Sequence, residues 1–427
     1  MAKHTLLKQM WAQKRANGWL FLELVLIFVI SWVVVDPIYV LEYQRHGIKE
    51  GYEPEKLYFT TLHTYPSRAQ QYDSTRTSAE AVIADSKRIA NVIRNHSDVL
   101  SLSIVGTSKM AGGAYMGNRL YNKADSTTVI VQVIEYPTDN DFMSTYRFRS
   151  VVDHRWETLA QTQIPSNGIV ITEDVRRKLF PHEAAIGKTV IINDNPLIVS
   201  AVIDMIKRAP SCQPSPVVLY PSANLNGLNR GVGGIVIRVK EGVSREAFLN
   251  TFREELAPRA QIGNFFLTDV VPYKTLGEDY SKWDDSDTTL RLRTILSAFF
   301  LLVVFLGVIS TFWLRVETRK EEVGLRRALG STSRQIRNRF LAEGVLLVLA
   351  AAVLGIFIQL HIVYFNGLYR FQASPWDEFW PVNNPVAHFA IVTLLVLVLL
   401  LATVLVATLI PALRSAKIKP VDALRDE

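Results

Sequence analysis

Among the 427 residues stands a single cysteine, Cys212, so the chain can form no disulfide with itself. A domain of a few hundred residues buries enough surface to fold without one. A phosphate loop of the form G-x-x-x-x-G-K-[ST] is missing, and the run Gly231-Val232-Gly233-Gly234 has no lysine behind it and leads into a strand-like segment, so it reads as a turn. G-x-S-x-G, S-x-x-K and H-E-x-x-H do not occur either, which removes the common arrangements for an activated serine or a helix-borne zinc. The eight histidines are scattered, without ligand spacing. The acidic cluster Asp284, Asp285, Asp287 has neither the glycine nor the distal glutamate of an EF-hand loop, and reads as solvated linker. The expectation is a chain that is no enzyme and holds no metal or cofactor of its own.

What the sequence has in quantity is uncharged apolar residues. Stretches 295–314, 344–369 and 386–413 contain no Lys, Arg, Asp or Glu, and each reaches the roughly twenty apolar residues that cross a bilayer core. A fourth stretch, 18–40, carries Glu23 and Asp36 near its two ends. It is long for the apolar part of a secretory leader, and no small-x-small cleavage site precedes the polar region, so it reads as a first span. Charge orients the four. Residues 1–17 hold four Lys/Arg and no acid, 315–343 eight against four, and 414–427 four against three. The block 41–288 is balanced at twenty-eight against twenty-nine, and the turn 370–385 has one against two. Lys/Arg excess marks the cytoplasmic side. The net charge of +7 and the pI near 9.3 then follow from topology and call for no nucleic-acid partner.

The resulting order is a cytoplasmic N-terminus (1–17), a first span (18–40), an extracytoplasmic domain (41–288), a stalk end with the second span (289–314), a cytoplasmic loop (315–343), a third span (344–369), an outer turn (370–385), a fourth span (386–413) and a cytoplasmic tail (414–427). The outer block predicts strands at 57–63, 99–106, 128–136, 168–171, 189–192, 197–203, 217–220, 234–239 and 265–271, with helices at 78–96, 173–180 and 244–256. Asn193-Asp194-Asn195-Pro196 is a hairpin signal between two of the strands. Strand–helix–strand at both ends, with a strand-rich insert between, predicts an α+β domain carrying a small β-rich lobe at about 150–225. Residues 279–294 read as a polar linker that turns amphipathic toward the membrane. His361 and His388 lie in or near spans without a carboxylate at helical spacing, and read as bundle hydrogen-bonding or interfacial groups. Ala351 and Gly355 form a small-xxx-small pair for helix packing, with a dimer face as the alternative.

The cytoplasmic loop has its own punctuation. Residues 317–329 continue the second span as helix, and Gly330 follows where a C′ residue of positive φ is wanted. Thr332 then caps a new helix, with Gln335 three residues on in capping-box position. Helix, glycine break and helix give a short rigid element at the membrane surface, where a membrane protein meets a cytosolic energy source. An ordinary basic loop obeying the charge rule is the plainer alternative.

The segments ETRKEEVGLRRALGSTSRQIRNRFLAEG (317–344) and IPALRSAKIKPVDALRDE (410–427) resemble the MacB-type, FtsX-superfamily permeases of ABC transporters. SNGIVITEDVRRKLFPHEAAIGKTVIINDNPLIVSAVI (166–203) resembles the lobe of that family's periplasmic core domain, and GIVIRVKEGVSREAFLNTFREEL (234–256) its returning strand–helix unit. The resemblance implies an inner-membrane permease of four helices, without its own ATPase domain, working as a homodimer with two copies of a separate cytoplasmic ATPase that binds ATP and magnesium. Glu322, Gly324, Arg326 and Gly330 fall on the family's E-x-G-x-R…G coupling pattern. Around them Val323, Leu325, Ala328 and Leu329 offer an apolar contact surface, Arg326 and Arg327 offer charged donors, and Gly324 permits close approach. The implied function is mechanotransmission: ATP-driven motion at this loop, relayed by helices one and two to the outer domain, for export or efflux of a periplasmic substrate. Residues 41–50 and 279–294 are the expected stalk. Helices one and two are expected to face the second permease chain, with Val303 and Val308 at the contact, and the remaining surface to face membrane lipid. The resemblance leaves open a periplasmic adaptor and an outer-membrane channel as partners. Three rival functions remain at this point: an FtsX-like signalling regulator of a cell-wall hydrolase, a lipoprotein-release permease, and a membrane-anchored receptor with no ATPase. For the assembly, a paralogous heterodimer is the alternative to the homodimer.

Overall fold

Among the described residues, four helices are long and apolar enough to cross a membrane, over Gly18–Gly47, Arg291–Thr311, Ser333–Phe365 and Pro385–Leu409. A large strand-rich unit, residues 43–287, stands between the first and the second in the chain. The computed structural model describes residues 14–107, 109–112, 117–137, 141–210, 212, 214–222, 233–283, 286–366 and 385–415. The expected outer turn at 370–385, except its last residue, and the tail from 416 onward lie outside them, as do Asp284 and Asp285 of the acidic cluster.

The chain starts with α1 (Lys14–Glu42), which carries Pro37 inside it and ends in a π-helical turn, Tyr43–Gly47. Proline removes one N–H from the helical ladder, which weakens it toward its C-terminal end. Strands β1 (Leu57–Thr61) and β2 (His63–Thr64) follow, then α2 (Ala79–Arg94). The Ser78 hydroxyl caps α2 by accepting from the Ala81 amide, and the helix buries Val82, Ile89, Ala90 and Ile93 along one face. Next come β3 (Val99–Val105), β4 (Gly117–Asn122), β5 (Thr128–Tyr136), the short α3 (Phe142–Tyr146) and α4 (Trp156–Gln161), β6 (Gly168–Thr172) and α5 (Glu173–Leu179). Strands β7 (Thr189–Ile192), β8 (Asn195–Ile203), β9 (Ile206–Lys207), β10 (Pro214–Ser215), β11 (Val217–Pro221) and β12 (Gly234–Val239) complete the strand-rich run. Helix α6 (Arg245–Thr251) is capped by Ser244 and prolonged by a π turn into α7 (Ala257–Arg259). The two-residue β13 (Phe265–Phe266) and β14 (Val271–Pro272) precede α8 (Tyr273–Trp283).

Two substructures share this unit. Strands β14-β1-β12-β3 form an antiparallel sheet, and β11-β5-β4-β7-β8-β6 close into a barrel. Alternation along β1 divides the core: Tyr58 joins Ile89, Ile93, Phe248 and Phe252 under the helices, while Phe59 joins the barrel-side cluster of Ile134, Tyr146, Leu219 and Tyr273. A third cluster, with Leu120, Val131, Ile171, Val190 and Val218, fills the barrel. Asn193 and Asp194 both take positive φ between paired Ile192 and Asn195, which makes a two-residue turn of the type that matches strand twist.

The barrel lobe starts earlier than the expected 150–225, because β4 and β5 belong to it. β4 reads GNRLYN, and Leu120 is its one buried apolar residue, so the apolar alternation that marks a strand is absent. The single strand expected at 265–271 is instead two short ones, interrupted where Asp269 turns to bond Arg253. The segment read as a polar linker, 279–294, is helix wherever it is described. It contains no proline or glycine, and α8 buries Tyr273 and Ser281, so tertiary contact makes helix of a polar sequence.

The spans are α1, α9 (Ser286–Glu317), α11 (Ser333–Asn366) and α12 (Pro385–Ser415), with the short α10 (Lys320–Ala328) between the second and the third. α1, α11 and α12 pack on one another through Leu24, Phe28, Ala351, Val392 and Val396, all fully enclosed. Gly355 is the close-approach point: a Cβ there would lie 2.5 Å from the Phe28 ring. The small-residue pair of the third span is therefore spent inside the chain and not on a dimer face.

Candidate coupling site

Helix α10 begins with Glu321 and Glu322 and ends with Arg326 and Arg327, so its side-chain charges oppose the helix dipole. Its polar face is closed by an i,i+4 pair: Arg326 donates from Nε (3.1 Å) and Nη2 (2.8 Å) to Oε1 of Glu322. Its inner face is anchored by Val323, 3% exposed, which packs with Ile336 and Phe340 of α11. Ahead of the helix, Arg319 reaches Glu343 of α11 at 2.9 Å, with both side chains largely enclosed. An ion pair removed from water costs desolvation and is costly to break, so this contact fixes the hairpin's geometry more than it stabilises it.

The end of α10 is a full Schellman turn. Gly330 sits at φ +92, its N–H donates to the Arg327 carbonyl at 3.0 Å, and the Ser331 N–H donates to the Arg326 carbonyl at 2.9 Å. One residue later the capping box closes reciprocally: the Gln335 amide donates to Thr332 Oγ1 (3.3 Å), and the Thr332 amide to Gln335 Oε1 (2.9 Å). Two helices are thus joined by a break that itself supplies partners for backbone groups at both helix ends.

This geometry sorts the nine sequence-predicted residues. Val323 and Gly324 are buried, so they belong to the hairpin's own packing. Glu322, Arg326 and Arg327 are half-buried, with Arg326 already held by Glu322. Leu325 (56% exposed), Ala328, Leu329 (78%) and Gly330 lie on the outside. The apolar surface expected of four residues is therefore three, Leu325, Ala328 and Leu329, because an anchor onto α11 takes Val323.

A second polar constellation lies in the span bundle. His388 Nε2 of α12 and Asp36 Oδ1 of α1 are 2.5 Å apart, both nearly inaccessible, and the imidazole rests 5.2 Å from the Tyr39 ring. Next to it, Trp32 donates from Nε1 to Thr393 Oγ1 at 3.1 Å. The carboxylate that was sought at helical spacing from His388 comes from another helix, 352 residues away in the chain. Spacing along one helix cannot reveal such a pair. Asp36 itself was the available signal, since an acid inside a span calls for a partner. His361 is exposed on α11, and its Nδ1 lies 3.1 Å from the Phe357 carbonyl one turn earlier in the same helix. Among the described residues no group of three or more His, Cys, Asp or Glu could hold a metal ion.

Residues 49–255 match the MacB-like periplasmic core domain family, and residues 294–420 match the FtsX-like permease C-terminal family. Among curated proteins, the chain is similar to the macrolide export ATP-binding/permease protein MacB of Shewanella sp. (strain W3-18-1), 28% identical over 265 residues, covering 60% of this chain and 38% of that protein. It is likewise similar to the protein of that name from Escherichia coli O157:H7, 27% identical over 270 residues, covering 61% and 38%. The chain thus spans well under half the length of these relatives. Among solved structures, the periplasmic region of MacB from Actinobacillus actinomycetemcomitans aligns at 13% identity over 54% of this chain and 94% of its own, with a TM-score of 0.31, too low to bear on the fold.

Proposed function

The chain belongs to the MacB-type permeases of the FtsX superfamily, and on that premise we propose that it couples ATP hydrolysis by a cytoplasmic ATPase to movement of its extracytoplasmic domain, driving export of a periplasmic substrate. The observation that carries the reading is the α10 hairpin. It is a helix clamped to α11 by Val323 and by the Arg319–Glu343 pair, stopped by a Schellman turn, and left with Leu325, Ala328 and Leu329 exposed beyond the lower end of two spans. An apolar stripe on a rigid helix suits a groove on another protein, and its rigidity lets a push on the stripe move α9 and α11.

The partners follow from the same reading. A cytoplasmic ABC ATPase would bind ATP and magnesium and seat against α10, and a second permease chain would complete a two-fold assembly. An inner-membrane location with both termini in the cytoplasm follows from the charge pattern. The match of residues 49–255 to a MacB-like core domain favours export over regulation of a cell-wall hydrolase. To test the coupling surface, the chain is co-expressed with a candidate ATPase and purified in mild detergent. Leu325→Asp with Leu329→Asp should remove the ATPase from the purified complex without changing the chain's thermal midpoint. Undiminished co-purification of the double variant would overturn the assignment of that surface.

A further inference from the structure

The hairpin β9–β10 lies in the chain between two barrel strands, β8 before it and β11 after it. Lys207 in β9 is fully enclosed. Its ammonium donates to the carbonyl oxygen of Gln44 and, at 2.9 Å, to that of Ile48. Those carbonyls belong to the π-helical turn that prolongs α1 and to the residue just past it. Carbonyls at a helix end are orphaned, and a cation there both satisfies them and meets the negative end of the dipole. Burial pushes the Lys207 amine below its usual range, against the opposing pull of Glu50 and Cys212. The backbone repeats the grip, since the Lys207 N–H donates to the Glu50 carbonyl at 3.1 Å. Gly51, at φ +83, passes so near the hairpin that a Cβ would lie 2.1 Å from the Met205 carbonyl oxygen.

The next residue turns to another element. Arg208, only 9% exposed, sets its guanidinium 4.6 Å from the centre of the Tyr280 ring of α8. α8 leads into α9, the second span. Two adjacent enclosed cations thus hold two different segments, one that leaves the first span and one that enters the second. Buried Lys and Arg are rare without a specific partner, and here each has one.

We propose that Lys207 and Arg208 are the positioning residues of a yoke, through which movement of the first and second spans is gathered by the β9–β10 hairpin and passed into barrel strands β8 and β11. The yoke rests on the permease reading for its purpose, although not for its contacts.

Hydrogen exchange read by mass spectrometry tests it on the full chain in nanodiscs with its co-expressed ATPase. Without nucleotide, Lys207→Met is expected to speed exchange at residues 43–50 by about tenfold, as loss of a local anchor does, and to leave residues 129–136 of the barrel unchanged. With ATP and vanadate, the wild type is expected to shift at 43–50, 273–283 and 204–210. The double variant Lys207→Met, Arg208→Met is expected to shift at the first two and not at the third. A wild type with no nucleotide response overturns the permease reading and with it the force path, while the nucleotide-free comparison still judges the clamp. A double variant that responds at 204–210 as the wild type does overturns the yoke. So does Lys207→Met exchange that is unchanged at 43–50 or raised evenly over every strand, which would make Lys207 an ordinary core residue.

Discussion

Individual polar residues inside apolar surroundings set the sharpest tests. Asp36 and His388 join two spans 352 residues apart, and either one alone would leave a polar group in the bundle without the other. Double-mutant cycles on interhelical polar contacts in membranes average about 0.6 kcal/mol and reach about 1.7 kcal/mol. A double-mutant cycle of Asp36→Leu and His388→Leu, read as thermal midpoints in detergent, should therefore give a favourable coupling of about 1 kcal/mol, with the double variant more stable than the sum of the singles implies. Strict additivity would show the pair to be uncoupled. Lys109, in the outer unit, sits 4.0 Å from the centre of the Phe59 ring, and burial lowers its pKa from 10.5 to about 8. Because the folded value is the lower one, the charged form opposes folding: the penalty is complete below pH 8 and is gone above the unfolded value of 10.5. Lys109→Met should accordingly raise the thermal midpoint at pH 7, with the gain shrinking as pH rises from 8 toward 10.5. A gain that does not vary with pH would assign the effect to packing instead. The His388–Asp36 pairing and the surroundings of Lys109 could not be read from the sequence, since both are products of tertiary structure.

At the scale of elements, the break after α10 was legible because its signals are local, whereas the second span, expected to continue as helix over 317–329, ends at Glu317 and turns at Thr318 and Arg319 before α10 begins. Gly330 at φ +92 and the Thr332–Gln335 box are read from residues within five positions of one another, and both form as their spacing dictates. Gly330→Ala should cost about 1 kcal/mol, as for an alanine forced to positive φ, and Thr332→Ala about the same through the lost cap. Loosened α10 amides in hydrogen exchange would report both, whereas unchanged protection would mean the break is held by tertiary contacts alone. The hairpin's inner face was not legible, because nothing in the sequence says which of Val323 and Leu325 turns toward α11. The barrel shows the same division. The Asn193-Asp194 turn and the apolar β5, β6 and β8 announce themselves, but the polar β4 is a strand because β5 and β7 hydrogen-bond to it on both sides.

For the molecule as a whole, charge and apolar runs were enough for four spans with one large domain between the first two, since bilayer thickness and the hydrogen-bonding demand of lipid leave few alternatives. What they could not give is the orientation of each helix about its axis. Val308 on α9 is fully enclosed by its own chain, whereas Val303 is 51% exposed, so the two are not equivalent at a dimer contact. In a Cys212→Ser background, a cysteine at Val303 should cross-link two chains, and one at Val308 or at Leu394 of α12 should not. Cross-linking at Leu394 alone would move the interface to the fourth span. The central claim is that nucleotide bound in the cytoplasm moves the domain outside, and it can be measured directly. A spin label at Ile186, exposed on the barrel lobe, in the Cys212→Ser chain reports the distance between two lobes of an assembled pair. Double electron–electron resonance in nanodiscs with the ATPase should show that distance distribution shift when ATP and vanadate replace the nucleotide-free state. A distribution identical in the two states, with the ATPase bound and active, would contradict the account.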